Sequence, residues 1–305
     1  MSKTLFTPPT VLIAGGSGQT GRALASIFDE AGLNVVAMDR AELDITSEAS
    51  VKAAITAVEP NFVVNCARYP DVDRAESEGD SAYRLLVEGP MYLAMACRSI
   101  DATLIHLSSE YVFDGKDAPY AEDAPTSPLS LFGHYCREGE VEIARLIDRY
   151  IVMRVGLVFS ADPRRFVYDT LHTIRQGREK RMVSDEIGTP TSIQDLGRVL
   201  TAMIRQLDLG SDAYGIYHYG GGGSASWFEL GELVYAQARQ REDLADNLLQ
   251  PVRGDEVPGR APRPKDVRLE CDKLLQNFGI KRLPWRTQMI QCIDQIYQAE
   301  ADNES

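Results

Sequence analysis

Basic residues are scarce in this sequence. Its 32 lysines and arginines face 45 aspartates and glutamates, which gives a formal net charge of −13. This deficit argues against nucleic acid or an anionic membrane surface as a partner. It does not exclude a phosphate-bearing ligand, because backbone amides can bind phosphate without any basic side chain.

Long apolar runs and paired cysteines are also missing. No run approaches the ~20 apolar residues that span a bilayer, and the opening MSKTLFTPPT lacks the apolar core of a signal peptide. The five cysteines form no C-x-x-C pair and predict reduced, buried thiols. The four histidines share no metal-ligand spacing. We therefore expect a cytoplasmic protein without a metal site and without a membrane partner.

The first half of the chain alternates short apolar runs with helical patterns. The runs predict buried parallel strands at 11–15, 34–39, 62–67, 103–109 and 150–159. Helix-like spacing occupies 20–31, 48–58, 80–100 and 136–149. Strands alternating with helices predict βαβ units, and therefore an α/β fold with a Rossmann-type, doubly wound parallel sheet.

A glycine-rich turn, GGSGQTG, follows the first predicted strand. Gly15, Gly18 and Gly21 have the spacing G-x-x-G-x-x-G and lead into a helix that Gln19 and Thr20 help to open. Such a turn brings backbone close to a pyrophosphate and points helix N-terminal amides at the anion. In this strand–turn–helix context the motif predicts binding of NAD or NADP.

The end of the second predicted strand bears on the choice between NAD and NADP. Asp39 could accept from a ribose 2′-hydroxyl, which favours NAD, whereas Arg40 could meet a 2′-phosphate, which favours NADP. With both present, the choice stays open. Asp44 and Ile45 follow in a loop expected near the adenine, although a lone aspartate in a loop is more often a turn or cap residue.

The third predicted strand should end beside the pyrophosphate or the nicotinamide. Cys66 and Ala67 close this strand, and Arg68 comes next. Arg68 could clamp a phosphate or block the site, and the sequence favours neither.

Beyond about residue 160 the strand–helix rhythm becomes irregular. We predict an NAD(P)-binding domain over 1–160, to which 190–210 return. A smaller C-terminal substrate lobe, built from discontinuous segments, takes most of 161–305. The runs GGGG at 220–223 and VPGRAPRPK at 257–265 are predicted to be loops.

Several motifs occur in the order typical of one family. They are GGSGQTG, VVNCARYPDVDRAE, SSEYVFDGKDAPYAEDAPTSPLSLFG, DEIGTPTSIQDLG, GIYHYGGGGSASWFEL and RAPRP. In these motifs the chain resembles the dTDP-4-dehydrorhamnose reductase (RmlD-like) family of extended short-chain dehydrogenases/reductases, and the resemblance runs nearly end to end. It implies a Rossmann domain, a sugar-nucleotide lobe, and NAD(P)H reducing a 4-keto group on a nucleotide-linked deoxysugar.

The resemblance also locates the family's catalytic residues. The serine or threonine that hydrogen-bonds the carbonyl falls on Ser109. The proton-donating tyrosine falls on Phe132, the lysine four residues later on Cys136, and the supporting asparagine on Leu86. Three of the four catalytic positions are therefore chemically silent, and the Tyr-x-x-x-Lys pair is missing.

Neighbouring residues do not restore the pair. Tyr135 is a weak catalytic candidate, because it lies about 60° around an ideal helix from Phe132, and a register shift would put Gly139 in the lysine's place. His134 titrates near neutrality but lies nearly opposite Phe132, and is better explained as exposed or capping. Cys136 is better explained as a small buried filler than as a nucleophile.

Further positions are expected to border the substrate. The resemblance implies that Tyr111 and Phe113 lie beside the active site, although both could equally be core aromatics. Leu157 stands where the family carries a tryptophan against the sugar, so the pocket wall differs as well. Arg263 matches a family segment near the nucleotide-sugar phosphates.

Three functions remain open. The first is a reductase of a nucleotide-linked sugar with a non-standard proton donor. The second is a noncatalytic cofactor-binding regulatory or scaffold subunit, resembling the regulatory subunit of methionine adenosyltransferase. The third is altered, non-redox chemistry in a biosynthetic pathway. The expected partners are a nicotinamide dinucleotide and a nucleotide-sugar or other small molecule, with a homodimer or a partner enzyme left open.

Overall fold

The computed structural model describes residues 7–163 and 165–304. The chain divides into two compact units, each built from separate stretches. The first unit runs to Ser108 and also contains His134–Met153 and Gly197–Tyr217. The second contains Ser109–Gly133, Arg154–Leu196 and the chain from His218 onward. The domain roles predicted from the sequence stay predictions.

A parallel sheet organises the first unit. Its strands are β1 (Thr10–Ala14), β2 (Asn34–Met38), β3 (Phe62–Asn65), β4 (Thr103–Ser109) and the first part of β5 (Tyr150–Phe159). Their order in the sheet is β2-β1-β3-β4-β5. Val11 pairs with both Val35 and Phe62, and Phe62 pairs with Thr103. Strand β2 thus lies on one side of β1, and β3 and the later strands lie on the other. Open α/β sheets bind ligands at such a switch point.

Helices connect these strands. They are α1 (Gln19–Glu30), α2 (Glu48–Val58), α3 (Val72–Ser77), α4 (Gly79–Tyr83), α5 (Gly89–Ser99) and α6 (Leu131–Leu146). A π-helical turn, Arg84–Glu88, joins α4 to α5. Apolar residues of β1, β3, β4, α2 and α5 form a continuous buried cluster. These elements confirm the predicted α/β fold with a Rossmann-type parallel sheet.

The second unit contains two two-stranded sheets as well as strands that pair with β5. Its further strands are β6 (Lys180–Val183), β7 (Ile187–Gly188), β8 (Pro190–Ser192), β9 (Gly215–Tyr219, which begins in the first unit), β10 (Ala225–Ser226) and β11 (Leu249–Val252). Strand β8 pairs with the later part of β5, β6 pairs with β11 in parallel, and β7 pairs with β10 antiparallel.

Helices pack over these short strands. They are α7 (Phe166–Arg175), α8 (Ile193–Asp208, which continues into the first unit), α9 (Trp227–Arg239), α10 (Asp272–Phe278) and α11 (Trp285–Glu304). Apolar residues of α7, α9 and α11 form the core here, with Trp227 packed at its margin. No helix in the described part of the chain is long and apolar enough to cross a bilayer.

Candidate functional site

The glycine turn is so tight that two of its positions exclude any side chain. Gly15 has φ +82°, and a Cβ there would lie 2.9 Å from the Ala67 backbone nitrogen. A Cβ on Gly21 would overlap the Gly15 carbonyl oxygen. The amide of Gly18 donates to that same oxygen at 3.0 Å. The turn is therefore closed by backbone alone, as a loop that wraps a phosphate must be.

Helix α1 begins at this turn with a bare N-terminus. Gly18 is the N-cap and makes no side-chain capping hydrogen bond. Gln19 and Thr20, the first helical residues, are half-buried. Because the first amides of a helix have no intrahelical acceptor, this terminus is suited to an anion. The residues present thus fit the pyrophosphate of a dinucleotide.

The residues after β2 form a tight acidic turn. Asp39 Oδ1 accepts from the amides of Ala41 (2.8 Å) and Glu42 (3.1 Å). Arg40 is largely exposed, with its side chain 83% accessible, and its Nε lies 3.6 Å from Asp44. The cation is therefore the more accessible of the two predicted ribose-contacting groups.

Asp44 and Ile45 have structural partners. Asp44 Oδ1 accepts from the Thr46 amide at 3.0 Å and from the Thr46 hydroxyl at 2.7 Å, as a cap residue does. These bonds, together with Arg40, hold the pKa of Asp44 below its ordinary value even though partial burial opposes them. Ile45 is 2% exposed and belongs to the core of the first unit.

The segment after β3 carries one buried and one exposed candidate. Burial raises the pKa of the Cys66 thiol to about 12, so it is inert. The Ala67 amide donates to Asn65 Oδ1 at 3.1 Å. Arg68 is exposed, which leaves it able to meet a phosphate.

Two buried polar pairs in the first unit were not predicted from the sequence. Asn65 Nδ2 donates to His106 Nδ1 at 3.0 Å, because Asn65 Oδ1 is already taken by an amide. The Ser108 hydroxyl donates to Glu140 at 2.6 Å, and Arg137 Nη1 lies 3.6 Å from the same carboxylate. Glu140 is fully buried, one turn beyond Cys136. The sequence signal for this site was the four-residue spacing of Phe132, Cys136 and Glu140, which puts a carboxylate on the same helix face as the two replaced catalytic positions.

Leu86, at the family's asparagine position, lies within the π-helical turn. It is 4% exposed and offers no polar side chain. Its backbone carbonyl approaches α6 so closely that a Cβ on Gly139 would overlap it. π-Helical turns recur at functional sites. Here the π-helical turn carries a leucine where the resemblance implies an asparagine side chain.

The remaining first-unit candidates on α6 are occupied elsewhere or inert. The Tyr135 ring packs edge-on against Tyr83 at 5.4 Å, and the Tyr83 hydroxyl donates to Glu138. His134 is exposed. Burial, with Glu140 adding to it, raises the pKa of the Cys136 thiol to about 12. Cys136 is therefore neither a nucleophile nor a substitute for a lysine.

In the second unit, Ser109, Tyr111 and Phe132 come together. Ser109 Oγ accepts from the Tyr111 amide at 3.2 Å. The rings of Tyr111 and Phe132 meet edge-on, with centroids 6.2 Å apart. A Cβ on Gly133 would overlap the Tyr111 carbonyl, so the start of α6 lies directly on this segment. Phe132 itself is 2% exposed.

Phe113 and Leu157 are buried in the core of the second unit. Phe113 stacks on Tyr120 at 4.1 Å, and the Arg154 guanidinium lies 5.2 Å from its centroid. Leu157 has φ +41°, at a bulge where β5 pairs with β8, and its side chain packs against Gly188. A left-handed leucine is strained, so this backbone shape is held by the surrounding packing.

Charged residues surround Tyr111. Arg260 makes a two-pronged ion pair with Glu186, both hydrogen bonds being 2.8 Å. Arg263 is half-buried and donates to the Ala261 carbonyl. Desolvation, helped by Glu110, raises the pKa of Tyr111 to about 12, although Arg263 and Arg260 act in the opposite direction. Across residues 7–163 and 165–304, no group of three or more potential ligands could hold a metal ion.

Comparisons with known proteins identify the family of the chain. The profile of the RmlD substrate binding domain family matches residues 9–298. A dTDP-4-dehydrorhamnose reductase from Aggregatibacter actinomycetemcomitans is 34% identical over 280 residues, which is 90% of this chain and 95% of the relative. A probable dTDP-4,6-dihydroxy-2-methyloxan-3-one 4-ketoreductase from Streptomyces antibioticus is 33% identical over 293 residues, which is 95% of this chain and 96% of the relative.

A solved structure extends the comparison. The dTDP-4-dehydrorhamnose reductase from Bacillus anthracis, in complex with NADP, superimposes with a TM-score of 0.87 at 27% identity. The match covers 94% of this chain and 99% of that chain.

Proposed function

Because the chain belongs to the RmlD substrate binding domain family, we propose that it binds NAD(P)H and reduces a keto group of a nucleotide-linked deoxysugar. The observation that carries the proposal is the glycine turn, where Gly15 and Gly21 admit no side chain and the N-cap of α1 makes no side-chain hydrogen bond. A turn closed this tightly by backbone, at the switch point of a parallel sheet, is suited to a dinucleotide. The activities of the relatives, a dTDP-4-dehydrorhamnose reductase and a probable 4-ketoreductase, support the sugar substrate.

The chain's own residues then have defined tasks. The amides that open α1 would hold the pyrophosphate, and the exposed Arg40 and Arg68 would meet phosphates of the dinucleotide. Ser109 would orient the substrate carbonyl. When bound, the reduced nicotinamide supplies a hydride. The exposed Arg40 beside an already engaged Asp39 favours NADPH over NADH.

A second function is favoured by a specific observation. Phe132 and Cys136 are 2% and 4% exposed and contribute no group that exchanges protons at neutral pH. A noncatalytic subunit that binds the dinucleotide and regulates or supports a partner enzyme would show the same two positions. Non-redox chemistry has no observation in its favour.

Calorimetry followed by a turnover assay separates the two functions. We expect NADPH to bind more tightly than NADH, and a dTDP-4-keto-6-deoxysugar to be reduced slowly, with oxidation of NADPH above background. The double variant Phe132→Tyr with Cys136→Lys should raise kcat, because it returns the tyrosine and lysine that the resemblance implies for proton transfer.

Each alternative result has a distinct meaning. Tight binding of NADPH without turnover, unchanged by the double variant, supports the noncatalytic subunit. If neither dinucleotide binds, the glycine turn has no ligand and both functions fail.

A further inference from the structure

Tyr111 is the tyrosine that the structure joins to both Ser109 and Phe132. Its backbone amide is bonded to the Ser109 hydroxyl oxygen, and its ring lies edge-on to the Phe132 ring. Phe132 holds the position from which the family's tyrosine gives a proton, so Tyr111 brings a phenol next to the ring that lacks one. Resting on the proposed function, we propose that the Tyr111 hydroxyl is the proton donor for the reduction.

The Tyr111 hydroxyl is available for this role. Other tyrosine hydroxyls of the second unit are committed to internal acceptors: Tyr120 to Asp114, Tyr219 to Asp195 and Tyr235 to the Ala245 carbonyl. Within the part of the chain that the structure describes, no residue hydrogen-bonds the Tyr111 hydroxyl. The side chain is half-buried, so a ligand can reach it.

The backbone fixes where Tyr111 lies. Glu110–Val112 form a short 3₁₀ turn directly after β4, and Ser109 caps that turn with its side chain. Gly133 leaves room for the Tyr111 carbonyl against the first turn of α6. A proton donor needs such fixed placement, because a misplaced acid contributes little to the rate.

Burial is the main influence on the acidity of Tyr111, and four charged residues modify it. Glu110 and Glu186 favour the protonated phenol, while Arg260 and Arg263 favour the phenolate. Glu186 and Arg260 form an ion pair with each other, so their opposite effects on the pKa of Tyr111 largely cancel. With desolvation dominant, the pKa of Tyr111 rises to about 12, so the hydroxyl is protonated throughout the neutral range.

The proton balance is as follows. As the carbonyl carbon accepts a hydride from a reduced nicotinamide dinucleotide, the electron pair of the C=O π bond moves to oxygen. The O–H bond of Tyr111 breaks, its proton forms the new alcohol O–H bond, and the phenolate takes a proton from water. The reverse oxidation requires Tyr111 as phenolate, which its raised pKa disfavours.

The central test is Tyr111→Phe, with Tyr235→Phe as the matched loss of one hydroxyl in the same unit. We expect Tyr111→Phe to lower kcat for reduction by ~10²–10⁴-fold and to leave NADPH affinity in calorimetry unchanged. Tyr235→Phe should keep the parent turnover. Adding Phe132→Tyr to Tyr111→Phe should restore turnover, since it returns a phenol to the adjoining position; a residue that only shapes the pocket would not be rescued.

The pH dependence gives an independent readout. Reduction should show no decline from loss of this proton until the pH nears about 12, whereas alcohol oxidation should rise about tenfold per pH unit over the alkaline range. In the protein without cofactor, the ultraviolet difference titration between parent and Tyr111→Phe should contain one phenolate transition near that same pKa.

Other outcomes overturn the proposal in distinguishable ways. Unchanged turnover in Tyr111→Phe, or its loss in Tyr135→Phe instead, removes Tyr111 as the donor while the reductase function stands. A parent protein that binds NADPH but reduces no keto-sugar overturns both the reductase function and this assignment.

Discussion

At the scale of single residues, the cofactor turn depends on glycines for steric reasons that the structure makes explicit. Gly21 lies within α1, where φ is ordinary, yet a Cβ would overlap the Gly15 carbonyl. The neighbour is backbone and cannot rotate away. We expect Gly21→Ala to weaken NADPH binding by roughly tenfold or more, and to cost about 1–3 kcal/mol of stability through overpacking.

Calorimetry and urea unfolding measure these two effects. Gly222→Ala is the matched control, because its nearest neighbour would be an ordinary 3.7 Å from the added Cβ and its φ is unremarkable. NADPH affinity equal to the parent's in Gly21→Ala would show that the turn tolerates displacement and does not cradle the dinucleotide.

The glycine spacing in its strand–turn–helix context was enough to predict this turn, because strand, turn and helix follow each other locally. Glu140 could not be predicted in the same way. Its burial depends on Ser108, which lies 32 residues earlier in the chain, and no local pattern reports such a long-range partner. Likewise, the commitment of Tyr135 to Tyr83 depends on a separate helix.

At the scale of elements, helix α6 shows what fixes the position of Phe132. The sequence pattern predicted a helix from residue 136, but α6 begins at Leu131. Ser130 Oγ accepts from the Gly133 amide at 3.2 Å and thereby starts the helix five residues earlier. Gly133 makes a helix start at Leu131 hard to predict, because glycine is a poor helix former. The glycine is nevertheless required, because a Cβ at this position would overlap the Tyr111 carbonyl oxygen.

This cap predicts a measurable stability change. Ser130→Ala should lower the free energy of unfolding by about 1 kcal/mol, within the range of about 0.5–2 kcal/mol seen for lost N-caps. Ser130→Thr keeps the acceptor oxygen and should recover most of the loss. Urea denaturation measures both, and equal midpoints for the alanine variant and the parent would mean that the cap does not stabilise α6.

At the scale of the whole molecule, the sequence predicted the first unit far better than the second. Strands β4 and β5 have the predicted bounds, β2 and β3 lie within theirs, and β1 begins and ends one residue earlier than predicted. The agreement is close because buried parallel strands are continuous apolar runs. The second unit is made of strands as short as Ala225–Ser226 and of segments far apart in the chain. Periodicity cannot be recognised over two or three residues.

Buried histidines in both units predict how the folded molecule responds to acid. Burial lowers the pKa of His106 to about 4. His218 donates through Nδ1 to the carbonyls of Tyr120 and Glu270, so its Nε2 accepts from Arg154 at 3.2 Å. Burial first, and the Arg154 charge second, lower the pKa of His218 to about 3. Both histidines are therefore neutral in the folded protein.

The sign of the pH effect follows from these directions. Below the unfolded-state pKa of 6.5, the unfolded chain binds protons that the folded chain does not, so the histidines' stabilising contribution is complete above pH 6.5 and is lost as the pH falls toward 4. We expect the urea midpoint to drop between pH 7 and pH 5. His106→Asn, which keeps an acceptor for Asn65, and His218→Asn, which keeps a donor for the two carbonyls, should each be less stable at pH 7 yet less sensitive to pH over that interval. A parent protein with equal midpoints at the two pH values, or variants that retain its full pH dependence, would show that these histidines do not set the acid response.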